Sequence, residues 1–350
     1  MGSLSRLVRS LAVRAVPVVA VALGVGGISS ATSEASSTAA LVTPAQAQAV
    51  IATLWQAREH ALDTRDVATF DRIDTGSALL TDTEAARQVA CGCKKFYWTK
   101  GPRTLRSAAI FLSLQTTYPV DFAAEVLAAR PSQPTPAGQR WTAMLLLTKQ
   151  AADQPWRIAV EIFDVGYSTP IAGFPSPQVA ANGYQLPSAM PLQVPTTDWF
   201  PKLAAYFNGI KETGRQPADT VFAPGPLTSR NGLQARPNGF TSHGLKSTYT
   251  FKSSSFGGPW LINSGGLPTM CGDVVESVVT RPASTAKLLY QPSTRRNWGP
   301  DVAPGYYFSL TTLWEWSVCI YPDGSNLAVG GNSAGGYPVH TTGDRVATIR

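Results

Sequence analysis

Charge is scarce in this chain. Asp, Glu, Lys and Arg make up 15% of its 350 residues, against roughly 25% in an average globular domain. Hydrophobic residues reach 44%, enough for a sizeable core, so the chain as a whole is not disordered. Histidine is rarer still: His60, His243 and His340 are the three, and no two share a metal-ligand spacing. The 22 acidic residues form no evident sugar-cleaving pair. A phosphate-binding loop and a dinucleotide fingerprint are both missing, so neither metal nor cofactor is expected. Basic residues cluster no further than Lys94-Lys95 and Arg295-Arg296, which read as solvated turns. A nucleic-acid footprint would need a basic face or stripe, so no nucleic-acid partner is expected.

Cysteine is limited to four residues, and their places exclude three chemistries. None lies near the N-terminus, which rules out a lipid-modified cysteine anchor. Cys91-Gly92-Cys93 has one intervening residue where the redox motif needs two. With two distant cysteines it matches no common zinc spacing. Disulfides remain, provided the chain is exported. Of three possible pairings we favour Cys271–Cys319 and Cys91–Cys93. The first joins two expected strands and closes a loop of about 48 residues, worth about 3–4 kcal/mol in the loop-entropy model. The second bridges a single residue, where Gly92 supplies the backbone freedom.

Export is itself an expectation from the N-terminus. Arg6, Arg9 and Arg14 precede an apolar run, AVPVVAVALGVGGI, and a small-residue exit at Ser29-Ser30-Ala31. This is the pattern of a secretory signal peptide, placed at 1–31. The alternative is an uncleaved membrane tether through 15–31, although the run is short of the roughly 20 residues that span a bilayer. Without 1–31 the formal charge of +7 falls to +4, because three arginines and no acid are lost. Such a mild surplus suits attraction to an acidic cell envelope.

What is abundant is turn-forming residues, 30 Gly and 27 Pro. Residues 32–42 read as a flexible tether. Thr43-Pro44-Ala45-Gln46 then opens a helix, with Thr43 as cap and Gln46 completing a capping box. Val50, Ile51, Leu54, Ala57, Ala61 and Leu62 follow at helical spacing, with Trp55 bordering them. Short helices are expected over 64–73 and over 82–90, the latter opened by Thr81 and Glu84. Strands follow over 105–117, 120–129, 141–149 and 156–165, the last two forming a hairpin. Residues 167–195 hold six prolines and read as a linker. A helix then runs from near Thr197 to Gly214, with Phe200, Leu203, Phe207 and Ile210 as its stripe. Strands resume over 246–254, 269–281, 284–291, 305–321 and 326–330. Helices followed by antiparallel strands, twice, predict an α+β fold, with domains at 43–166 and 196–350.

This arrangement resembles the cystatin/NTF2-like fold, a curved antiparallel sheet around N-terminal helices. The segments TPAQAQAVIATLWQAREHALDTRD, YPVDFAAEVLA (118–128), QPWRIAVEIF (154–163) and APGYYFSLTTLWEWSVCIYPDG (303–324) are similar to those of a group of actinobacterial exported proteins of uncharacterised function, built from two such halves. The resemblance implies a role in the cell envelope and brings no catalytic residues. Cys91-Gly92-Cys93 and the Gly/Ser stretch 253–268 depart from it.

Two features invite a functional reading. Gly331-Asn332-Ser333-Ala334-Gly335 fits G-x-S-x-G after an apolar strand. A nucleophile elbow needs a helix next, however, and Gly336-Tyr337-Pro338 breaks one. The 17 residues after Ser333 are also too few for the elements that carry an acid and a base. The motif is read as a glycine-rich loop. The nine tryptophans suggest a pocket instead: Trp55, with Trp141 and Phe163 on strands, can line the mouth of the first sheet, or they fill the core. Trp314 and Trp316 flank Glu315 on one strand, which puts the indoles on one face and the acid on the other. They mark an interface if exposed and a core if buried. The function expected is non-enzymatic binding or scaffolding in the envelope, with an envelope protein or a small apolar ligand as partner. The alternatives are an NTF2-like carrier, isomerase or dehydratase, and a membrane-tethered assembly component.

Overall fold

The computed structural model describes residues 40–90, 102–129, 141–164, 183, 198–217, 221–223, 227–228, 238–239, 241–242, 244–254, 260–264, 267–284, 287–290, 305–323, 326–331 and 337–345. The signal segment 1–31, Cys91 and Cys93, the linker 167–195 apart from Gly183, His243 and Ser333 lie outside them. All described residues belong to one unit, Ala39–Arg350.

Helix α1 (Pro44–Thr64) starts as its sequence dictates. The Thr43 backbone N–H donates to Gln46 Oε1 (2.8 Å), and Gln46 N–H donates to Thr43 Oγ1 (3.2 Å). Its buried stripe is Ala47, Ile51, Leu54, Trp55, Arg58, Glu59, Ala61 and Leu62. Two charged residues therefore stand where an amphipathic helix normally places aliphatic ones, and Trp55 lies inside the stripe rather than beside it. Helix α2 (Val67–Ile73) follows. Helix α3 (Gly76–Ala90) begins six residues before the expected start at 82. Thr81 is not its cap: its hydroxyl donates back to the carbonyls of Ser77 (3.0 Å) and Ala78 (3.1 Å) inside the helix. A Thr followed by Glu three residues later fits either role, since a helical hydroxyl can bond the preceding turn.

Strands β1 (Thr104–Phe111), β2 (Val120–Ala129), β3 (Trp141–Lys149) and β4 (Arg157–Asp164) form an antiparallel meander in sequence order. β1 stops short of the expected 117. One face of this sheet, with Phe122, Ala124, Val126, Leu145, Leu147 and Ile158, packs under α1–α3. The opposite face carries Phe111, Ala123, Met144, Leu146, Val160 and Ile162, also buried. A strand covered on both sides reads as a continuous apolar run rather than an alternating one, and TAMLLLTK is such a run. Both sheet edges are occupied. Gln48 of α1 donates to the Ala108 carbonyl of β1 at 3.1 Å, and the α2–α3 link bridges β4 at Asp74–Ile158, with Thr75 N–H on Ile158 O (2.8 Å). Blocked edges discourage pairing with other chains.

Helix α4 (Trp199–Thr213) ends at Gly214, whose φ of 66° places it in the left-handed region that favours glycine. The strands after it are β5 (Thr241–Ser242), β6 (Leu245–Ser253), β7 (Trp260–Ser264), β8 (Leu267–Pro282), β9 (Leu288–Tyr290), β10 (Gly305–Asp323), β11 (Asn326–Gly331) and β12 (Tyr337–Arg345). They make an eight-stranded antiparallel sheet centred on the β8–β10 pair, with β11 and β12 beyond β10 and β6 and β7 beyond β8. Sequence reading does not anticipate β7, which lies in the Gly/Ser stretch. It also misses β12, whose Pro338 and Gly343 hide its pattern. Helix α4 covers one face through Phe200, Leu203, Phe207 and Ile210, against Phe251, Val274, Trp316, Val318 and Ile320.

The other face of the β8–β10 pair meets the first sheet. Cys271 and Cys319 stand opposite each other in register and form a disulfide. They are fully buried in one cluster with Met144, Leu146, Val160 and Ile162. The fold is thus α+β in four layers: helices, sheet, sheet, helix.

Candidate functional site

Trp55 is 2% exposed and forms the floor of a surface cleft of about 550 Å³ between α1 and the start of β1. Ala52, Gln56, Glu59, His60, Pro102, Arg103, Thr104 and Leu105 complete its lining. The Trp55 indole Nε1–H donates to the Arg103 carbonyl at 3.2 Å, and the Arg103 guanidinium lies 5.0 Å from the ring centroid, within cation–π range. Arg103 also holds Glu59, through its backbone N–H (2.8 Å), Nε (2.8 Å) and Nη2. Burial alone would raise the Glu59 carboxyl, but the Arg103 charge and hydrogen bonds outweigh it and hold the group below the ordinary range. Glu59 is therefore an ionised, fully engaged carboxylate, and it is not poised to exchange protons near neutral pH. His60, the next residue along α1, is exposed.

The backbone register runs Leu105–Ala128–Trp141 across β1, β2 and β3, and pairs Ala143 with Phe163 across β3 and β4. Trp141 and Phe163 thus occupy the end of the first sheet at which the cleft lies. Their side chains are outside the described ones.

Behind Glu59 lies a buried charge cluster. Arg58 is fully buried and grips Asp82 with a fork, Nε to Oδ2 at 2.5 Å and Nη2 to Oδ1 at 2.6 Å, while Nη2 also contacts Glu161. Burial opposes the Arg58 charge, but Asp82 and Glu161 more than compensate and keep its pKa well above the usual value. Asp74 faces Asp82, and among the described residues neither of its carboxyl oxygens has a hydrogen-bond donor. Burial first, then the Asp82 charge, raises it well above the carboxylate range. Burial also pushes Glu161 up to about 8, against the pull of Arg58 and Arg103. Two guanidinium ions balance two carboxylates. Neutrality then requires protons on Asp74 and Glu161, as expected where isolated buried charge is costly.

A second acidic group sits across the sheet interface. Asp273 of β8 and Glu315 of β10 share a face with the disulfide, and Ser317 is directly opposite Asp273. Both acids are buried, Glu315 to 1% exposure. Burial pushes Asp273 up to about 6, and neither of its carboxyl oxygens has a hydrogen-bond partner among the described residues. Burial and the Asp273 charge lift Glu315 well above its ordinary range.

The indoles flanking Glu315 are core. Trp316 is buried under α4, its Nε1–H donating to Glu276 Oε2 at 2.9 Å, and Trp314 packs on the same cluster. After Gly331 the chain resumes as strand β12 from Tyr337, whereas a nucleophile elbow runs from strand to helix. Among the described residues no His/Cys/Asp/Glu group is arranged to hold a metal, and no helix is long and apolar enough to cross a membrane.

Sequence reading missed Arg58, Asp74, Asp82, Glu161, Asp273 and Glu315. A signal existed: Arg58 falls on the apolar stripe of α1, and Glu161 interrupts the apolar run RIAVEIFD. No family model matches the chain, and no curated protein or solved structure matches it.

Proposed function

We propose that the chain is an exported cell-envelope protein of two cystatin/NTF2-like halves that acts by binding, with the Trp55 cleft as its site for a small apolar ligand. One observation carries this reading. The cleft presents Trp55, Leu105, Ala52 and Pro102 beside an acid already neutralised by Arg103, an arrangement that favours shape and apolar contact over proton transfer. The buried disulfide is in keeping with an oxidising compartment. The buried acids Asp74 and Glu161 are absent from the cleft lining, which weighs against the isomerase or dehydratase alternative.

The test fills the cleft. Titrating the full chain with the apolar dye 1-anilinonaphthalene-8-sulfonate is expected to give saturable fluorescence enhancement. In Ala52→Trp, at an exposed position of α1, that enhancement falls at least tenfold with the melting temperature unchanged. Equal dye binding by the two proteins refutes the cleft as the site. Recovery of the full chain, with or without 1–31, only from cytosolic fractions of its native cell refutes export.

A further inference from the structure

We propose that one end of the second sheet is a docking face for the surface of an anionic lipid bilayer. Leu289, Tyr306 and Phe308 are its apolar contact, and Lys246, Arg281 and Lys287 border them. The three apolar side chains are 43%, 54% and 57% exposed. Leu289 of β9 stands directly opposite Tyr306 of β10, close enough for the two side chains to touch. Phe308 lies two residues further along β10, at a bulge where the register with β12 shifts between Tyr307 and Ser309. Tyr307 and Leu310 both belong to the buried cluster with Leu288, although strict alternation would put them on opposite faces. The extra residue absorbs that mismatch and leaves Phe308 outward, beside Tyr306.

The cations stand on the same face. Thr280 pairs with Leu310, so Arg281, the next residue, points away from the Leu310 cluster, as Tyr306 and Phe308 do. Along that face of β8 exposure rises steadily. Cys271 and Asp273 are buried, Val275, Ser277 and Val279 are half-buried, and Arg281 is exposed. The first sheet, which packs on Cys271, covers one end of the face and leaves the other open. Lys246 of β6 is in register with Arg281, and Lys287 is two residues before Leu289. Both lysines are exposed. Arg345 pairs with Tyr307 and so belongs to the reverse face. Among the described residues of β6, β9 and the adjoining ends of β8, β10 and β12, Asp344 is the one acid. It accepts a hydrogen bond from Ser309 at 2.6 Å. Three cations against one engaged acid, in a chain with 15% charged residues, complement an anionic surface.

The chemistry selects lipid over the other occupants. Protein interfaces are depleted in lysine. Beside a bilayer, by contrast, lysine and arginine lay their apolar stems along the hydrocarbon and keep their charge among the head groups. Tyrosine joins an apolar ring to a polar tip, which suits the same boundary. A second copy meeting this face through a two-fold axis would set the same three cations against each other. Three side chains make a shallow, reversible contact, and attraction to anionic head groups supplies much of the affinity.

The test is hydrogen exchange of the full oxidised chain, free and with vesicles of equimolar phosphatidylglycerol and phosphatidylcholine or of phosphatidylcholine alone. The N-terminal apolar run offers lipid a second contact, so the readout is local. Amides of β9 and of residues 305–309 are expected to gain at least threefold protection on the anionic vesicles, while those of β2 and β3 do not change. Added salt should remove the gain. Tyr306→Ser/Phe308→Ser and, separately, Lys246→Gln/Arg281→Gln/Lys287→Gln should each abolish it at an unchanged melting temperature. If one of these variants folds poorly, the other decides. Vesicle binding without local protection overturns the proposal, as does an equal gain on neutral vesicles or a gain that both variants keep. Protection that appears without vesicles as protein concentration rises also overturns it, because that reports a face between two copies.

Discussion

Replacing Arg58 with Met is the sharpest perturbation the structure offers. Methionine keeps the length and apolar stem of the side chain but removes the cation that Asp82 and Glu161 share. Breaking a buried pair by deleting one partner costs about 3–5 kcal/mol, because the other partner stays buried without its counter-charge. That is a large share of the roughly 5–15 kcal/mol that holds a domain together. Urea unfolding followed by tryptophan fluorescence at pH 7 measures the loss. A matching apolar replacement, Arg58→Met/Asp82→Leu/Glu161→Met, should recover most of the loss, since well-packed apolar residues often substitute for buried ion pairs. A defect below about 1 kcal/mol at pH 7 would refute the assignment of Arg58 as the counter-ion of this cluster.

Removing the cross-strand disulfide between β8 and β10 with Cys271→Ala/Cys319→Ala should cost about 3–4 kcal/mol through its 48-residue separation, read from urea midpoints; a shift under 1 kcal/mol would show that the bridge does not restrain the unfolded chain. Gly343→Ala should cost about 1–3 kcal/mol by overpacking, because a Cβ there would meet Tyr307 Cδ1 at 2.6 Å and Leu310 Cδ2 at 2.7 Å; thermal melting checks this, and an unchanged midpoint would mean that β10 and β12 can part freely at that point.

Much of the architecture was legible from periodicity and turn residues. Strands β2 and β3 fall on their expected limits, and α1 is capped by the residues that its sequence nominates. The contact between the two sheets was not legible. Two runs of apolar residues can each belong to a sheet covered on both sides, but nothing local says what covers them. Met144, Leu146 and Ile162 acquire their meaning only when Cys271 and Cys319 arrive from more than a hundred residues away. The buried acids escaped for a related reason. Sparse carboxylates are ordinarily surface residues, and only tertiary packing brings Arg58 to Asp82 and Glu161. Trp55 was placed near a binding surface by its type, yet the groups that define the cleft, Arg103 and Glu59, come together through a hydrogen bond that spans 44 residues.

The shared layer between the sheets also sets a timetable. The first meander is built from local hairpins, which form within microseconds once their residues are free. Its outward face, however, waits for a cover that lies roughly a hundred residues downstream. At synthesis rates of about 5–20 residues per second that interval is on the order of 5–20 s. For all of that time Met144, Leu146, Val160 and Ile162 form a naked apolar plate. A chain built this way needs shelter before its second half is made, and a secretory route that keeps it extended until export is complete would provide it.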